Sequence, residues 1–278
     1  MERIRLAVEK DKKRHPGGTN QAVQPKLDKQ YTTTNYSTQA PVELDEISYK
    51  QTRVFNLNRE HLDKNRIVAY NKNDPVSMNF DILRTHILQK MEEHGWRTLA
   101  ITSPSAGAGK TVIAINLAMS IAQQTNKTSM LVDFDLRRPK IGAYLGIPME
   151  KSLNDLLEGT AELSDVLVNP DMPRLVVLPT KNPVKRSSET LSSKKISDLI
   201  KDLRERYESR IVIFDLPPVL VTDDAIALLP QIDCVLMVVS NGMSTKQEIE
   251  SSLRLLPAAT LIGTVLNKAE TEPSAYYY

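Results

Sequence analysis

Two glycines, a lysine and a threonine stand together at a point of the chain where they could hold a phosphate group. The segment SPSAGAGKT covers residues 103–111. Gly107 and Gly109 allow the backbone to curve closely around an anion with its N–H groups pointing inward. Lys110 can reach the β- and γ-phosphates of a nucleotide, and the Thr111 hydroxyl can ligate Mg²⁺. The segment therefore predicts a phosphate-binding loop of the Walker A type.

The position of this loop in the chain supports that interpretation, although one residue departs from the pattern. The loop follows a strand-like run at 98–102 and precedes a helical pattern at 110–123, so the helix dipole would favour a bound anion. Pro104 stands where the pattern G-x-x-x-x-G-K-[ST] has its first glycine. A Gly-Lys-Thr turn that binds nothing is the alternative.

Carboxylates end two of the apolar, strand-like runs. Asp133 and Asp135 close the run 129–135, and Asp215 closes the run 210–215. Because strand residues alternate between faces, Asp133 and Asp135 are expected to point to the same side. Their repulsion and desolvation would be costly unless a cation such as Mg²⁺ compensates. The alternative for this pair is a solvated loop that follows the strand. Asp215 has the form of a Walker B carboxylate, which holds Mg²⁺. Its alternative is an ordinary strand end, because an apolar run followed by Asp is common in α/β proteins.

Strand-like and helical stretches alternate along the chain from about residue 76. The strand-like runs are apolar throughout, as expected for strands that helices cover on both faces. This alternation predicts an α/β fold with a doubly wound, mostly parallel sheet, whose carboxyl edge would carry the loop and the carboxylates. The expected helices are 79–92, 110–123, 195–207, 223–229 and 245–256, and the expected strands are 98–102, 129–135, 175–179, 210–215, 234–240 and 260–267.

The 278 residues divide by composition and pattern into four predicted segments. Residues 1–40 have eight basic and four acidic residues, and residues 1–44 show no sustained apolar pattern, which predicts a flexible basic tail over 1–44. Residues 45–75 are expected to form a leader with a few apolar positions. Residues 76–268 form the predicted α/β domain, and residues 269–278 form a tyrosine-rich tail.

The overall composition excludes several kinds of protein. The net charge is only +2, so a nucleic-acid partner bound through bulk charge is not expected. Cys234 is the one cysteine, which excludes a disulfide framework and a cysteine-based metal cluster. No apolar run reaches the roughly 18 residues that a membrane span needs. The first residues, MERIRLAVEK, lack the apolar centre of a signal peptide, so a cytoplasmic protein is expected.

An ordered set of motifs resembles the bacterial tyrosine kinases of polysaccharide export, a family of P-loop tyrosine autokinases. Three apolar residues and then Asp-x-Asp-x-Arg stand at 130–137, and Asp-x-Pro-Pro stands at 215–218. Asp-Ala at 224–225 and a strand ending in Val-Leu-Asn-Lys at 265–268 complete the set. The likeness covers about residues 78–278. It implies a P-loop NTPase fold of the partition-ATPase-like branch, with ATP and Mg²⁺ as cofactors.

The same resemblance implies roles for individual residues. Asp133 would be the catalytic base for a tyrosine hydroxyl and would also contact the water shell of Mg²⁺. Asp135 and Asp215 would hold the metal with Thr111, and Lys110 would stabilise charge on the transferred phosphoryl group. The nucleotide-binding residues would be Gly107, Ala108, Gly109, Lys110, Thr111, Val112 and Asn267. The family's autophosphorylation site is a terminal tyrosine cluster, which here is Tyr276, Tyr277 and Tyr278.

Two positions distinguish this chain from related proteins. Partition and septum-placement ATPases carry a lysine early in the loop where this chain has Ser105, which disfavours them. The kinase family carries Glu-x-x-Arg-x-x-Arg in its first domain helix, where the motif helps to assemble a ring of subunits. The aligned residues here are Met78, Asp81 and Arg84, so one arginine is replaced by an acid. This replaces an attractive contact with a repulsive one, and a standard ring is not expected although a homo-oligomer stays open.

The function implied by the resemblance is an ATP-dependent protein-tyrosine autokinase that regulates capsule or exopolysaccharide synthesis and export. A membrane polysaccharide chain-length (co-polymerase) protein would activate it and hold it at the inner face of the cell membrane, and a tyrosine phosphatase would act on its product. The alternative is an ATP-gated scaffold of the export complex with little kinase activity. A partition-type ATPase is a weaker alternative.

Overall fold

An eight-stranded sheet with helices on both faces organises this chain, as a computed structural model shows. The structure describes residues 52–124, 126–256 and 261–269. The predicted basic tail at 1–44 and the tyrosines Tyr276–Tyr278 therefore lie outside the described residues. Within the described ranges, none of the helices combines the length and the apolar character that a membrane crossing requires.

The elements follow one another in a largely alternating order. The strands are β1 (Arg53–Val54), β2 (Thr98–Thr102), β3 (Thr128–Asp133), β4 (Val168–Asn169), β5 (Leu175–Leu178), β6 (Arg210–Asp215), β7 (Cys234–Ser240) and β8 (Leu261–Asn267). The helices are α1 (Arg59–Lys64), α2 (Ser77–His94), α3 (Lys110–Gln124), α4 (Ile141–Leu145), α5 (Leu153–Glu158), α6 (Leu163–Val166), α7 (Ser187–Leu191), α8 (Lys194–Glu205), α9 (Asp224–Leu228) and α10 (Lys246–Leu255). A 3₁₀ turn, Leu229–Gln231, follows α9.

The sheet is almost entirely parallel. Its strands lie in the order β1-β4-β5-β3-β6-β2-β7-β8, and β4 with β5 is the antiparallel pair among the described strands. The strands β3, β6 and β2 lie at the centre, so their carboxyl ends meet at one edge of the sheet. The predicted doubly wound, mostly parallel α/β fold is confirmed.

Two apolar cores lie on opposite faces of this sheet. Successive residues of β2 alternate between them, because Leu99 and Ile101 belong to one core and Ala100 to the other. The first core packs α2 and α3 against the sheet. The second core packs α8 through Ile196, Ile200 and Leu203. Burial on both faces explains why the strands are apolar throughout.

The strand that was expected over 129–135 ends two residues earlier, at Asp133. Phe134 still donates its backbone N–H to the Asp215 carbonyl at 3.0 Å. The chain then turns, because the Arg138 N–H donates to the Asp135 carbonyl at 3.1 Å and to the Asp135 side chain at 3.0 Å. Strand alternation therefore does not determine the direction of the Asp135 side chain; this turn does.

The predicted leader is joined to the helix that follows the phosphate loop. Asn116 lies on α3 and is fully buried. Its side-chain oxygen accepts the N–H groups of Val68 at 2.7 Å and Ala69 at 2.8 Å. Its amide donates to the carbonyls of Arg66 at 3.1 Å and Val112 at 2.9 Å. One side chain thus satisfies four backbone groups and fixes the leader to α3, while the boundaries of the four segments stay a prediction.

Replacing Asn116 with alanine should destabilise the protein strongly. One buried and one partly buried backbone N–H group lose their acceptor, so we expect the free energy of unfolding to fall by about 2–4 kcal/mol. Urea unfolding followed by circular dichroism measures this loss. The matched control is Asn79→Ala on the exposed face of α2, which should change the value by less than about 0.5 kcal/mol. Equal losses in the two variants would contradict the role given to Asn116.

Candidate functional site

The loop between β2 and α3 has the backbone conformation that its glycines permit. Gly107 and Gly109 have φ of +83° and +94°, a region that side chains rarely adopt. A side chain at Gly109 would also collide with the Asn267 amide. The Ser103 hydroxyl donates to the Ser105 carbonyl at 2.8 Å and closes the first half of the loop. Gly107 is therefore favoured by its conformation, and Gly109 by both its conformation and the space around it.

The first residues of α3 contact the carboxylates that end the neighbouring strands. The Lys110 ammonium donates to Asp135 Oδ2 at 2.7 Å and to Asp215 Oδ1 at 3.4 Å. The Thr111 hydroxyl donates to Asp215 Oδ2 at 2.7 Å. All four side chains are buried. The structure thus brings together four of the residues that the sequence placed in one site.

Asp133 lies directly beside Asp215, because the two residues are register partners in β3 and β6. Its Oδ2 accepts the backbone N–H groups of Lys140 and Ile141, both at 3.0 Å. Its Oδ1 is buried and has no hydrogen-bond partner in the structure. The hydroxyl of Thr180 fixes the main chain at this point by donating to the Asp133 carbonyl at 2.6 Å. One oxygen of Asp133 is therefore buried without a hydrogen-bond partner, and its strand neighbour is Asp215.

Burial and crowding of like charges shift the pKa values of this cluster. Burial, and then the charge of Asp215, raise the pKa of Asp133 well above its usual value, against the hydrogen bond from Ile141. Burial also raises the pKa of Asp215, although Lys110 and Thr111 oppose that shift. Burial works to lower the pKa of Lys110, but the carboxylates of Asp215 and Asp135 outweigh it and raise that pKa. The lysine is therefore charged, and Asp133 holds a proton more readily than an exposed aspartate.

A divalent cation fits this chemistry only together with a ligand that supplies oxygen. Among the described residues, no group of three or more His, Cys, Asp or Glu side chains forms a ready-made metal cage. The Thr111 hydroxyl and the Asp215 carboxylate lie 2.7 Å apart, and the free Asp133 Oδ1 faces no donor. Mg²⁺ is usually held by one or two carboxylates and by substrate phosphates, which is the donor set present here.

A cavity of about 570 Å³ opens beside the loop and the acid cluster. It is lined by Gly107 and Val112, which were both expected in the nucleotide site. Ala108, in the same loop, is buried and does not line the cavity. Basic and apolar side chains form its other walls. They include Arg137, Arg138, Lys140, Tyr144, Pro217, Pro218, Val221 and Thr222. The volume lies within the range of small-molecule binding sites.

Arg137 joins three segments at the rim of this cavity. Its Nε donates to Asp224 Oδ2 at 3.1 Å and to the Ser187 hydroxyl at 3.0 Å. Asp224 is fully buried, yet hydrogen bonds from Arg137 and Ser188 outweigh the effect of burial and hold its pKa below the usual value. The turn after β3 is thereby connected to α7 and α9. The arginine of the motif Asp-x-Asp-x-Arg and the aspartate of the motif Asp-Ala are thus contact partners, although they lie far apart in the sequence.

The end of β8 contacts the backbone of the phosphate loop through two side chains, and the sequence predicted a role for only one of them. The Asn267 amide donates to the Ala108 carbonyl at 2.8 Å. The Lys268 ammonium donates to the Gly107 carbonyl at 2.8 Å and approaches Met243 Sδ at 3.2 Å. Lys268 also has a positive φ of 57°. The positive φ could not be predicted from residue type, since lysine rarely adopts it. The assignment of Asn267 to the nucleotide site stays a prediction.

Comparison with known proteins agrees with this geometry. The family model described as "AAA domain" matches residues 96–258, which is more than half of the chain. EpsB of Ralstonia nicotianae is 31% identical over 207 residues, which cover 74% of this chain but 27% of that protein. The tyrosine-protein kinase CpsD of Streptococcus pneumoniae serotype 4 is 29% identical over 183 residues, which cover 65% of this chain and 79% of CpsD. This chain thus spans about a quarter of one relative and most of another.

Solved structures give the same picture. The chimerical protein CapA2B2 is 26% identical with a TM-score of 0.69, and the match covers 79% of this chain and 94% of that one. A ParA family ATPase from Chlorobium tepidum TLS is 20% identical with a TM-score of 0.53, over 63% of this chain and 75% of that one, which shows a shared fold alone. The expected P-loop fold of the partition-ATPase-like branch is confirmed, and this fold implies that the loop binds a nucleotide.

Replacing Asp133 with asparagine should stabilise the nucleotide-free protein. The new side chain can still accept the two amides at Lys140 and Ile141, but it removes a buried charge. We expect the free energy of unfolding in EDTA at pH 8 to rise by about 1–2 kcal/mol. Because folding raises the pKa of this carboxyl, its cost is present in full above the folded pKa and vanishes below the unfolded value of about 4.

The gain should therefore shrink as the pH falls, and urea unfolding at pH 8 and pH 5.5 tests this. Asp198→Asn, on the exposed face of α8, is the matched control and should have little effect at either pH. A loss of stability in Asp133→Asn at pH 8 would contradict the raised pKa.

Replacing Lys268 with methionine should weaken nucleotide binding. The Gly107 carbonyl loses its donor and the phosphate loop loses a nearby positive charge. We expect the Kd of fluorescently labelled Mg-ADP to rise roughly three- to tenfold. The control is Lys246→Met, whose side chain is 90% exposed and reaches Glu250 only at 3.7 Å. An unchanged Kd in Lys268→Met would show that the loop does not need this contact.

Proposed function

Since this chain belongs to the bacterial tyrosine kinase family, we propose that it is an ATP-dependent protein-tyrosine autokinase that phosphorylates its own C-terminal tyrosine cluster. The family expected from the sequence is confirmed by the comparisons; the activity and the tyrosines Tyr276–Tyr278 are the proposal. The observation that carries it is the free, buried Oδ1 of Asp133 beside Lys110, Asp135 and Asp215. This arrangement combines a base with a phosphate-binding loop.

In the proposed reaction, a tyrosine oxygen attacks the γ-phosphorus of ATP. The bond from the γ-phosphorus to the bridging oxygen breaks, ADP leaves, and the hydroxyl proton passes to Asp133 Oδ1. A tyrosine hydroxyl has a pKa near 10, so a nearby base of raised pKa assists its attack near neutral pH. Mg²⁺, when bound, supplies positive charge to the phosphate oxygens.

Individual side chains would hold the reactants. Thr111 and Asp215 are the proposed metal ligands, and Asp135 and the free oxygen of Asp133 lie within the same buried cluster. Lys110 would bind the β- and γ-phosphates, as its counterpart does in this type of loop. Its ammonium contacts Asp135 in the structure, so binding of phosphate exchanges that ion pair for a phosphate contact. The loop amides between Gly107 and Thr111 would hold the remaining phosphate oxygens.

The relatives support a proposal for the wider role. The curated relatives include tyrosine-protein kinases CpsD of streptococci. We propose that the chain regulates capsule or exopolysaccharide synthesis and export, at the inner face of the cell membrane. A membrane polysaccharide chain-length protein is the proposed activator, and a tyrosine phosphatase is the proposed antagonist.

Incubation of the full chain with Mg-ATP, with and without the cytoplasmic segment of its membrane partner, tests the activity. We expect phosphotyrosine on Tyr276–Tyr278 by mass spectrometry. Lys110→Met should reduce this signal at least about a hundredfold and abolish nucleotide binding, because the group that binds the phosphates is lost. Lys246→Met serves again as the matched control and should keep the full signal.

The two readouts separate the kinase from an ATP-gated scaffold. Nucleotide binding without phosphotyrosine, under both conditions, would refute the kinase and favour the scaffold. Nucleotide affinity that persists in Lys110→Met would mean that the phosphate loop is misassigned.

A further inference from the structure

Two basic side chains at the mouth of the cavity have no acidic partner in the part of the chain that the structure describes. Arg138 and Lys140 are exposed and line the cavity, and neither side chain takes part in an ion pair within the described ranges. The neighbouring Arg137 differs, because Asp224 binds its guanidinium. Unpaired cations at the edge of a cleft attract anionic ligands.

The main chain of both cations is fixed to the acid cluster. The Arg138 N–H donates to Asp135 Oδ1 at 3.0 Å, and the Lys140 N–H donates to Asp133 Oδ2 at 3.0 Å. The Lys140 ammonium lies 6.0 Å from the centre of the half-buried Tyr144 ring. A ligand that binds these cations is therefore held at a defined place relative to the reactive carboxylates.

Nucleotide phosphates are the first alternative ligand for these cations. Buried Lys110 and the loop amides already supply the groups that bind phosphate. Arg138 and Lys140 are exposed, so water and salt weaken their effect on a buried phosphoryl group. Val221, which is 60% exposed, lines the same cavity and offers apolar surface to an aromatic ring. Cations beside an apolar surface fit an acidic segment that contains tyrosine.

The last residues of this chain have that chemistry. Residues 269–278, AETEPSAYYY, carry Glu270 and Glu272 ahead of the tyrosines and have no basic residue. Lys268, just before them, donates to the carbonyl of Gly107, which lines the cavity. Tyr276 lies eight residues beyond Lys268, a reach of about 26–29 Å at full extension. The segment therefore starts at the wall of the cavity that would receive it.

We propose that Arg138 and Lys140 bind the acidic residues of segment 269–278 and so present its tyrosines to the acid cluster. The proposal rests on the proposed function and names the substrate class of the same site. That class is a tyrosine that follows carboxylate side chains within about six residues, with Glu272 four and Glu270 six positions before Tyr276.

Peptide binding to the full chain, with Tyr276–Tyr278 replaced by phenylalanine, tests the proposal. The probe is a fluorescent peptide of residues 267–278, added with Mg²⁺ and a non-hydrolysable ATP analogue and followed by anisotropy. The variant Arg138→Ala/Lys140→Ala should raise the peptide Kd roughly three- to tenfold at low salt and less at high salt. The Kd of Mg-ADP should stay within about twofold. Arg59→Ala/Lys201→Ala, which removes the same two charges outside this cavity, should change neither value.

A second peptide completes a double-mutant cycle. The Glu270→Gln/Glu272→Gln peptide should bind weakly to the parent chain and should not respond to Arg138→Ala/Lys140→Ala. Equal affinity for the two peptides, or a loss confined to Mg-ADP binding, would overturn the proposal. Phosphorylation of the peptide by the same chain with Mg-ATP reports separately on the kinase. Charge-dependent binding without phosphorylation would refute the kinase activity and leave the recognition standing.

Discussion

Three carboxylates and one lysine share a buried volume at the carboxyl ends of β3 and β6, and their electrostatics constrain everything around them. Asp133 and Asp215 are register partners and are both fully buried, so the sheet itself holds two buried acids side by side. Lys110 balances only part of this charge. The backbone amides at Lys140 and Ile141 and the Thr111 hydroxyl reduce the rest. Such a cluster costs stability without a ligand, and it is prepared for the positive charge that a metal brings.

The two apolar cores offset the loss of stability that the buried acids cause. Each central strand is packed on both faces, through Leu99 and Ile101 on one side of β2 and Ala100 on the other. Strands held in this way cannot move apart to relieve the repulsion between the acids. Asn116 connects the leader to α3, the helix that begins with Lys110, through hydrogen bonds to the backbone of both segments. The packing of the two cores therefore holds the acids together at the sheet edge despite their mutual repulsion.

Features with a local or periodic cause could be predicted from the sequence. The strand Arg210–Asp215 and the strand Cys234–Ser240 have the predicted limits, because apolar runs bounded by polar residues define both. The loop could be predicted because Gly107 and Gly109 are needed for positive φ.

The end of β3 could not be predicted from the sequence. It is set by a turn in which the Arg138 N–H donates to the Asp135 side chain, and strand alternation does not reveal such a contact. Lys268 belongs to the motif at 265–268, but its contact with the loop was not predicted for a related reason. Its partner is a backbone carbonyl 161 residues away, and a backbone carbonyl is the same whatever the residue type.

On helix α2, the two charges that remain at the motif positions contact each other. Sequence comparison treats Asp81 and Arg84 as charges that face another subunit. In the structure the Arg84 guanidinium donates to Asp81 Oδ1 at 2.7 Å and to the Ser120 hydroxyl at 3.0 Å, and Ser120 donates to Asp81 at 2.7 Å. Arg84 is only 8% exposed. The acid and the arginine therefore form an ion pair within one chain. The effect of the substitution on a ring of subunits stays a prediction. An assembly that uses the charge of Arg84 must first break this ion pair, in which the arginine is buried and the aspartate side chain is 29% exposed, and such a pair costs more to break than a fully exposed one.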